Sequence, residues 1–171
     1  MKAMWELKRT YEIWLAVERA ACAAFERAGQ KPRGTVTRIG RKATIDVKRI
    51  ARIEKVTKHD VIAFLESLME SVGPEHRFLH MGLTSSDIVD TALAVQMTEA
   101  LDLILDDLDE LIAVLKRQSL KYKNTLMVGR SHGIHGEPIS FGFKLAIWYE
   151  DDCRHRERRT HVRQGIAVGT L

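Results

Sequence analysis

Apolar residues recur at intervals of three and four along most of the chain, which is the spacing of one face of an α-helix. The pattern predicts helices over residues 4–28, 47–55, 58–72, 85–122 and 139–163. Glycine at position 29 follows the first of these helices, and a Gly-Pro pair follows the third. No segment shows the two-residue period of a strand. The sequence therefore predicts an all-α fold.

The longest predicted helix, 85–122, carries a wide apolar stripe. Its core positions alternate by three and four: Leu101, Ile104, Leu108, Leu111 and Leu115. At 1.5 Å per residue, about 38 residues make a rod about 57 Å long. Such a helix is typical of a bundle, often one shared between subunits. We expect a small N-terminal helical domain at 1–82, followed at 83–171 by the first long helices of a central helical bundle.

Two stretches do not fit a helix. The basic residues 30–46 contain Pro32, Gly34 and Gly40 and are predicted to form a broken connector. The chain stops at the apolar stretch "GIAVGTL", which has no capping or solubilising tail, and it starts almost directly in a helical pattern. We therefore expect this chain to be a fragment of a longer protein.

Composition narrows the class of protein. A chain of 171 residues that is 45% hydrophobic can bury a sizeable core. Its net charge of +4 is too small to indicate a nucleic-acid partner, although it suits an anionic ligand. The two cysteines form no disulfide framework, which fits the reducing cytoplasm. No apolar run approaches the roughly 20 residues of a membrane span. We expect a cytoplasmic protein.

Two four-residue segments precede apolar helical runs, "TKHD" at 57–60 and "TSSD" at 84–87. Thr-x-x-Asp is the capping-box pattern, so Thr57 and Thr84 are predicted as N-caps with Asp60 and Asp87 as their partners. A helix start also presents free N–H groups, which bind phosphate or carboxylate. The two interpretations are compatible.

Two histidines lie on the glycine-rich stretch "GRSHGIHGEP" at 129–138, His132 and His135. A metal site is disfavoured, because no HExxH motif and no suitably placed cysteine accompanies either this pair or the pair His76 and His80. The remaining interpretations are a general acid held on a stiff turn and a structural histidine bonded to backbone. We expect no metal.

The segment "RHRERRTHVR" at 154–163 carries five arginines. We predict i,i+4 ion pairs from Glu150 to Arg154 and from Asp152 to Arg156 on a solvated helix end. No aromatic residue interleaves these arginines, which makes a nucleic-acid surface the weakest of the functional interpretations.

Three segments carry a family resemblance: "TKHDVIAFLESL", "FLHMGLTSSDIVDTALAVQM" and "GRSHGIHGEPISFGFKLAIWYED". They resemble the adenylosuccinate lyase family of the fumarase/aspartase superfamily. The resemblance implies elimination of fumarate from adenylosuccinate, giving AMP, and from the succinylated carboxamide ribotide of purine biosynthesis (SAICAR to AICAR). It implies a small-molecule nucleotide substrate and no cofactor.

The resemblance also assigns residues. It implies that His132 is the general acid and that the following residues contact substrate: Lys58, His59, Asp60, His80, Thr84, Ser85 and Ser131. The family is a homotetramer whose active sites are each assembled from three subunits, so a homo-oligomer is expected.

The sequence also departs from the family pattern. The signature loop "GSSxMPxKxNP", which supplies the serine base, does not occur in it, nor does the phosphate-binding Arg-Tyr pair. We therefore expect the chain to be inactive alone. Two alternatives stay open: a sister lyase such as argininosuccinate lyase, and a non-catalytic helical oligomerisation module.

Overall fold

The computed structural model describes residues 1–170. In this range six α-helices and one hairpin follow in order: α1 Leu7–Arg27, α2 Thr35–Lys42, α3 Val47–Thr57, α4 Asp60–Val72, α5 Ser85–Lys121, β1 Leu126–Ser131, β2 Ile134–Ser140 and α6 Phe141–Ile166. Two short 3-10 helices lie at Lys2–Trp5 and Gly73–Phe78. The predicted all-α class is confirmed, with the hairpin as an addition.

The chain divides into two compact units. The first contains residues 1–97 with 167–170, and the second contains residues 98–166. The division falls within α5, whereas the sequence places a domain boundary at 82/83. That boundary remains a prediction about how the chain divides.

An aromatic cluster forms the centre of the first unit. The ring of Trp14 meets Phe64 edge-on, with centroids 5.4 Å apart, and Tyr11 lies 5.3 Å from Trp14. Phe64 is fully buried. Burial raises the pKa of the Tyr11 hydroxyl above its ordinary value. Each such ring pair stabilises the fold by about 0.5–1.5 kcal/mol beyond the effect of the apolar area it buries. The pairs therefore hold α1 against α4.

Helix α2 corrects the predicted connector at 30–46. Gly34 adopts a left-handed φ of 82° before the helix, and the Glu26 carboxylate accepts from the N–H of Gly34 at 2.5 Å and of Val36 at 3.1 Å. These N–H groups, Val36 first, hold the pKa of Glu26 below its usual range. Ile39 is fully buried in the core. The prediction was wrong because capping from α1 and burial of one residue outweigh the local glycines.

The hairpin corrects the expectation that no strand is present. Strand β1 pairs antiparallel with β2, and the register is irregular between Val128 and Arg130. At that irregularity, a Cβ on Gly129 would lie 2.5 Å from the Glu137 carbonyl oxygen, so the close approach requires glycine. Most side chains of both strands are exposed. The two-residue period is missing because neither face of the hairpin is buried in this chain.

Helix α6 begins directly after β2 and returns along α5 within the second unit. The N–H of Gly142 donates to the Tyr122 carbonyl at 2.9 Å, and a Cβ on Gly142 would lie 2.5 Å from the Lys123 Cα. The hairpin is therefore closed by a backbone contact that excludes any side chain at position 142.

Arginines of α6 pair with acids of α5. Arg163 bonds to Asp102 and Arg156 bonds to Asp109, each through two guanidinium nitrogens. The structure gives Arg154 a bond to Asp151. The predicted i,i+4 pairs were therefore wrong. Arg154 bonds instead to an acid three residues before it, and Arg156 bonds to an acid on the neighbouring helix that offers the bidentate geometry a guanidinium favours.

Candidate active site

The starts of α4 and α5 come together in the first unit. His59 is the N-cap of α4, where its Nδ1 accepts from the N–H of Ile62 at 3.4 Å. Its Nε2 lies 3.5 Å from the Oγ of Ser85, the first residue of α5. One imidazole therefore contacts both helix starts. The segments "TKHD" and "TSSD" therefore lie side by side.

The capping prediction for "TKHD" was wrong. Thr57 is the last residue of α3, so it does not precede α4, and His59 caps α4 instead. The Oδ1 of Asp60 accepts a hydrogen bond from the backbone N–H of Val61 at 2.7 Å. The same oxygen lies 3.3 Å from His59 Nδ1, an ion pair when the ring is protonated. The error arose because α3 runs two residues beyond its predicted end at residue 55.

The capping prediction for "TSSD" has the expected return bond. The Oδ2 of Asp87 accepts from the backbone N–H of Thr84 at 2.6 Å and from the Thr84 hydroxyl at 3.0 Å. Asp87 thus fixes Thr84 immediately before the helix. Ser85, the next residue, keeps its hydroxyl toward His59.

His80 lies on the segment that leads into α5 and is held from behind by Glu18 of α1. The Nδ1 of His80 lies 2.8 Å from Glu18 Oε1, and its backbone N–H donates to Glu18 Oε2 at 2.7 Å. Glu18 is only 1% exposed, whereas the His80 side chain is 21% exposed. A buried carboxylate therefore holds a histidine that stays partly exposed.

Sequence reasoning missed Glu18, although a signal for it exists. Four positions on one face of α1 are spaced by three and four: Tyr11, Trp14, Glu18 and Cys22. A carboxylate on a buried apolar face needs a partner, because an unpaired buried charge is strongly unfavourable. That pattern alone marks Glu18 as a residue with a specific polar contact.

Ser131 and His132 lie in the second unit, at the end of β1 and in the hairpin turn. The turn consists of His132, with φ 52°, and Gly133, with φ 78°. Positive φ at both central residues is what a type I′ turn requires, and this turn matches the twist of the strands it joins. Ser131 pairs with Ile134 across it. Both Ser131 and His132 are exposed.

Three non-glycine residues of the described chain have a positive φ: Lys58, His80 and His132. All three belong to the residues that the family resemblance assigns to the site. A left-handed conformation costs a non-glycine residue about 1–3 kcal/mol and concentrates at functional sites. Backbone strain thus marks the same positions as the motifs do.

Residues 1–170 contain neither a cluster of metal ligands nor a membrane-spanning helix. No group of three or more His, Cys, Asp and Glu side chains is arranged to hold a metal ion. None of the helices there has the length and apolar character needed to cross a membrane.

Comparison with known proteins identifies the family. Residues 2–171 match the protein family described as Lyase. The chain belongs to this lyase family. Relatives include adenylosuccinate lyases from Aquifex aeolicus, Synechocystis sp. and Bacillus subtilis, at 43%, 47% and 42% identity. Each comparison covers 100% of this chain and 40% of the relative, so the chain spans about 40% of the length of the relatives it matches.

Solved structures agree on the fold. A fumarate lyase from Mesorhizobium sp. BNC1 superposes with a TM-score of 0.93 at 24% identity, over 99% of this chain and 41% of that one. The 3-carboxy-cis,cis-muconate lactonizing enzyme from Pseudomonas putida superposes with a TM-score of 0.90 at 30% identity, over 100% and 41%. The resemblance drawn from the motifs is confirmed. The individual site roles remain predictions.

Proposed function

We propose that this chain supplies the general acid and part of the substrate-binding wall of a lyase. The reaction is elimination of fumarate from adenylosuccinate, giving AMP, and from SAICAR, giving AICAR. The observation that carries the proposal is the coincidence of Lys58, His80 and His132 with the three strained backbone positions. The 42–47% identity to adenylosuccinate lyases supports this choice of substrate.

The two adjoining helix starts fit the anionic part of such a substrate. Helix N-termini carry a partial positive charge and free N–H groups, which favour phosphate and carboxylate oxygens. Lys58 adds a full positive charge just before α4, and Ser85 adds a hydroxyl donor at α5. In this proposal Lys58, His59, Asp60, Thr84 and Ser85 bind and orient the nucleotide.

The chemistry requires an acid at the departing nitrogen. A base removes the proton beside a substrate carboxylate, the electron pair of that bond forms the new C=C bond, and the C–N bond breaks. His132 donates the proton that the departing nitrogen takes up, because an imidazole titrates near neutral pH. Ser131 lies beside it and contacts the substrate, and His80 contributes a further polar contact.

The base is proposed to come from outside this chain, because the serine-bearing loop motif does not occur in its sequence. The working enzyme is proposed to be a cytoplasmic homotetramer with active sites shared between subunits. The chain alone is then expected to be inactive, since it lacks the group that starts the reaction.

A chimera tests this proposal. Residues 1–171 would replace the matching 171 residues of the Synechocystis adenylosuccinate lyase, which is 47% identical over that length. We expect fumarate release from adenylosuccinate by the chimera and none by the 171-residue chain. An oligomeric chimera, as judged by size-exclusion chromatography, that is inactive on adenylosuccinate and SAICAR would contradict the proposal. Turnover of argininosuccinate instead would identify the sister lyase.

A non-catalytic oligomerisation module is the second candidate. The observation that favours it is the set of exposed apolar side chains in the second unit, which includes Leu111, Leu120, Phe143, Ile147 and Trp148. Exposed apolar surface of this kind drives self-association. The two candidates differ at His132: in a module without catalysis, substituting this residue in the chimera leaves turnover unchanged.

A further inference from the structure

The contact between Glu18 and His80 does more than fill the core. Both oxygens of the carboxylate bond to the same residue, one to the ring Nδ1 at 2.8 Å and one to the backbone N–H at 2.7 Å. The two residues are 62 positions apart in the sequence. One side chain of α1 thereby sets both the ring and the backbone of His80.

The contact also fixes which ring nitrogen carries the proton. An ionised carboxylate is acceptor-only, so the nitrogen that faces it carries the hydrogen. That nitrogen is Nδ1, which leaves Nε2 as the other functional atom of the ring. The His80 side chain is 21% exposed, so it is not sealed inside the core.

The segment before His80 is anchored independently. The Nζ of Lys31 donates to the Phe78 carbonyl at 2.6 Å, and the thiol of Cys22 lies 3.8 Å from the same oxygen. Two residues later, His80 takes up its left-handed φ of 57°. The strained backbone is therefore supported at two points, by Lys31 at Phe78 and by Glu18 at His80.

We propose that Glu18 is a positioning residue that holds the His80 imidazole with its proton on Nδ1 and presents the unprotonated Nε2 to a hydrogen-bond donor of the substrate. In the neutral ring Nε2 is then an acceptor, and the carboxylate behind the ring fixes both its tautomer and its orientation. The role of Nε2 toward substrate rests on the proposed function. The placement of the proton by Glu18 does not.

Nitrogen NMR on the histidine-labelled 171-residue chain tests the placement of the proton. At a pH where imidazoles are neutral, we expect His80 to have its proton on Nδ1 and an unprotonated Nε2. In Glu18→Gln, the amide oxygen still accepts the backbone N–H while the amide nitrogen donates to Nδ1, so the proton moves to Nε2. His80→Asn assigns the signals.

His76 is the internal control. Its Nδ1 lies 2.8 Å from the Gly73 carbonyl oxygen, which is also acceptor-only, so its proton stays on Nδ1 in both proteins. A proton on Nε2 of His80 in the unsubstituted chain would overturn the proposal without any variant. So would a proton that stays on Nδ1 in folded Glu18→Gln, with folding judged by circular dichroism.

Kinetics in the Synechocystis chimera test the link to substrate. We expect Glu18→Gln to lower kcat/KM for adenylosuccinate by about ten- to a hundredfold, the size of loss seen when the hydrogen-bonded partner of a metal-bound histidine is removed. The double variant with His80→Gln should be no worse than His80→Gln alone. Glu12→Gln, on the same helix but 41% exposed, is the matched control and should change little.

The two kinds of failure are distinguishable. An inactive but assembled chimera with the expected proton shift would reject the proposed function and leave the proton placement intact. An active chimera in which Glu18→Gln turns over normally would reject the positioning role itself.

Discussion

The site residues of the first unit and those of the second unit are held in different ways. His59, His80 and Thr84 each have side-chain partners in the first unit: Ser85, Glu18 and Asp87. Ser131 and His132 take their positions from a strand ladder and a two-residue turn, and both are exposed. Side chains thus hold the proposed binding wall, and backbone geometry holds the turn that carries the proposed acid.

The two units also differ in what they bury. The core of the first unit contains fully buried side chains such as Phe64, Ile39 and Ile88. In the second unit, α6 buries only Gly142 and Leu145 among its described residues, while Phe143 is 59% exposed. We therefore expect substitutions in the core of the first unit to affect mainly stability, and substitutions in the exposed turn of the second unit to affect mainly catalysis.

The largest expected effect concerns the turn of the second unit. In the active chimera, His132→Asn should lower kcat by about 10²–10⁴-fold, the usual contribution of a general acid. Asparagine tolerates a left-handed φ, so the turn keeps its shape. His135→Asn in β2 is the matched control. Comparable losses in both variants would show that the hairpin, and not the acid, was damaged.

The next effect concerns burial. Phe64→Ala should lower the free energy of unfolding by about 3–5 kcal/mol, because it removes a fully buried ring from the aromatic cluster. Phe143→Ala, on the exposed face of α6, should change it by less than about 0.5 kcal/mol in the unassociated chain. Urea unfolding followed by circular dichroism measures both. Equal losses would remove the contrast between the two units.

A smaller effect concerns backbone strain. Lys58 has φ 55° and ψ 28° between α3 and α4. Lys58→Gly should raise the free energy of unfolding by about 0.5–1 kcal/mol, since relief of strain outweighs the entropy that glycine loses on folding. Lys55→Gly, within α3, should lower it by about 1 kcal/mol. Thermal unfolding of the two variants gives the comparison; a loss at both positions would show that Lys58 is not strained.

The smallest effect concerns the ion pairs of the second unit. Hydrogen bonds from Arg163 and Arg156 lower the pKa values of Asp102 and Asp109. A carboxyl whose pKa is lowered by folding contributes stability above its unfolded pKa of about 4, and that contribution is lost as the pH falls through the lower folded value. Asp102→Asn should therefore lower Tm slightly at pH 7 and hardly at pH 2.

Asp107→Asn, on the exposed face of the same helix, is the control for this pH dependence. A Tm difference for Asp102→Asn that persists unchanged at pH 2 would mean that the ion pair is not its cause. Raising the salt concentration should shrink the pH 7 difference, because exposed pairs are screened.

The spacing of apolar residues predicted the long helices well and the short helix α2 poorly. The helix predicted at 85–122 is found at Ser85–Lys121, because a sustained apolar stripe overrides local detail. Helix α2 was missed, because its start is capped by Glu26 from α1 and Ile39 is its single buried apolar residue. Capping by a distant side chain leaves no trace in the spacing of the segment that it caps.

The site was predictable to the extent that its residues lie in contiguous motifs. "TKHD" and "TSSD" pointed to two helix starts, and the structure brings His59 and Ser85 within 3.5 Å. Their convergence depends on how α4 and α5 pack, which neither motif encodes. Glu18 was missed because its partner lies 62 residues away. The hairpin was missed because its turn uses His-Gly where Asn-Gly or Asp-Gly is the common signal.

The φ of 52° at His132 restricts which amino acids evolution can place there. Glycine adopts this conformation freely, and asparagine, aspartate and histidine adopt it more readily than other side chains do. Of these four, glycine and asparagine do not titrate, and aspartate is already deprotonated well below neutral pH. If the residue at this position must both turn the chain and donate a proton at pH 7, histidine is the one of the four that meets both requirements.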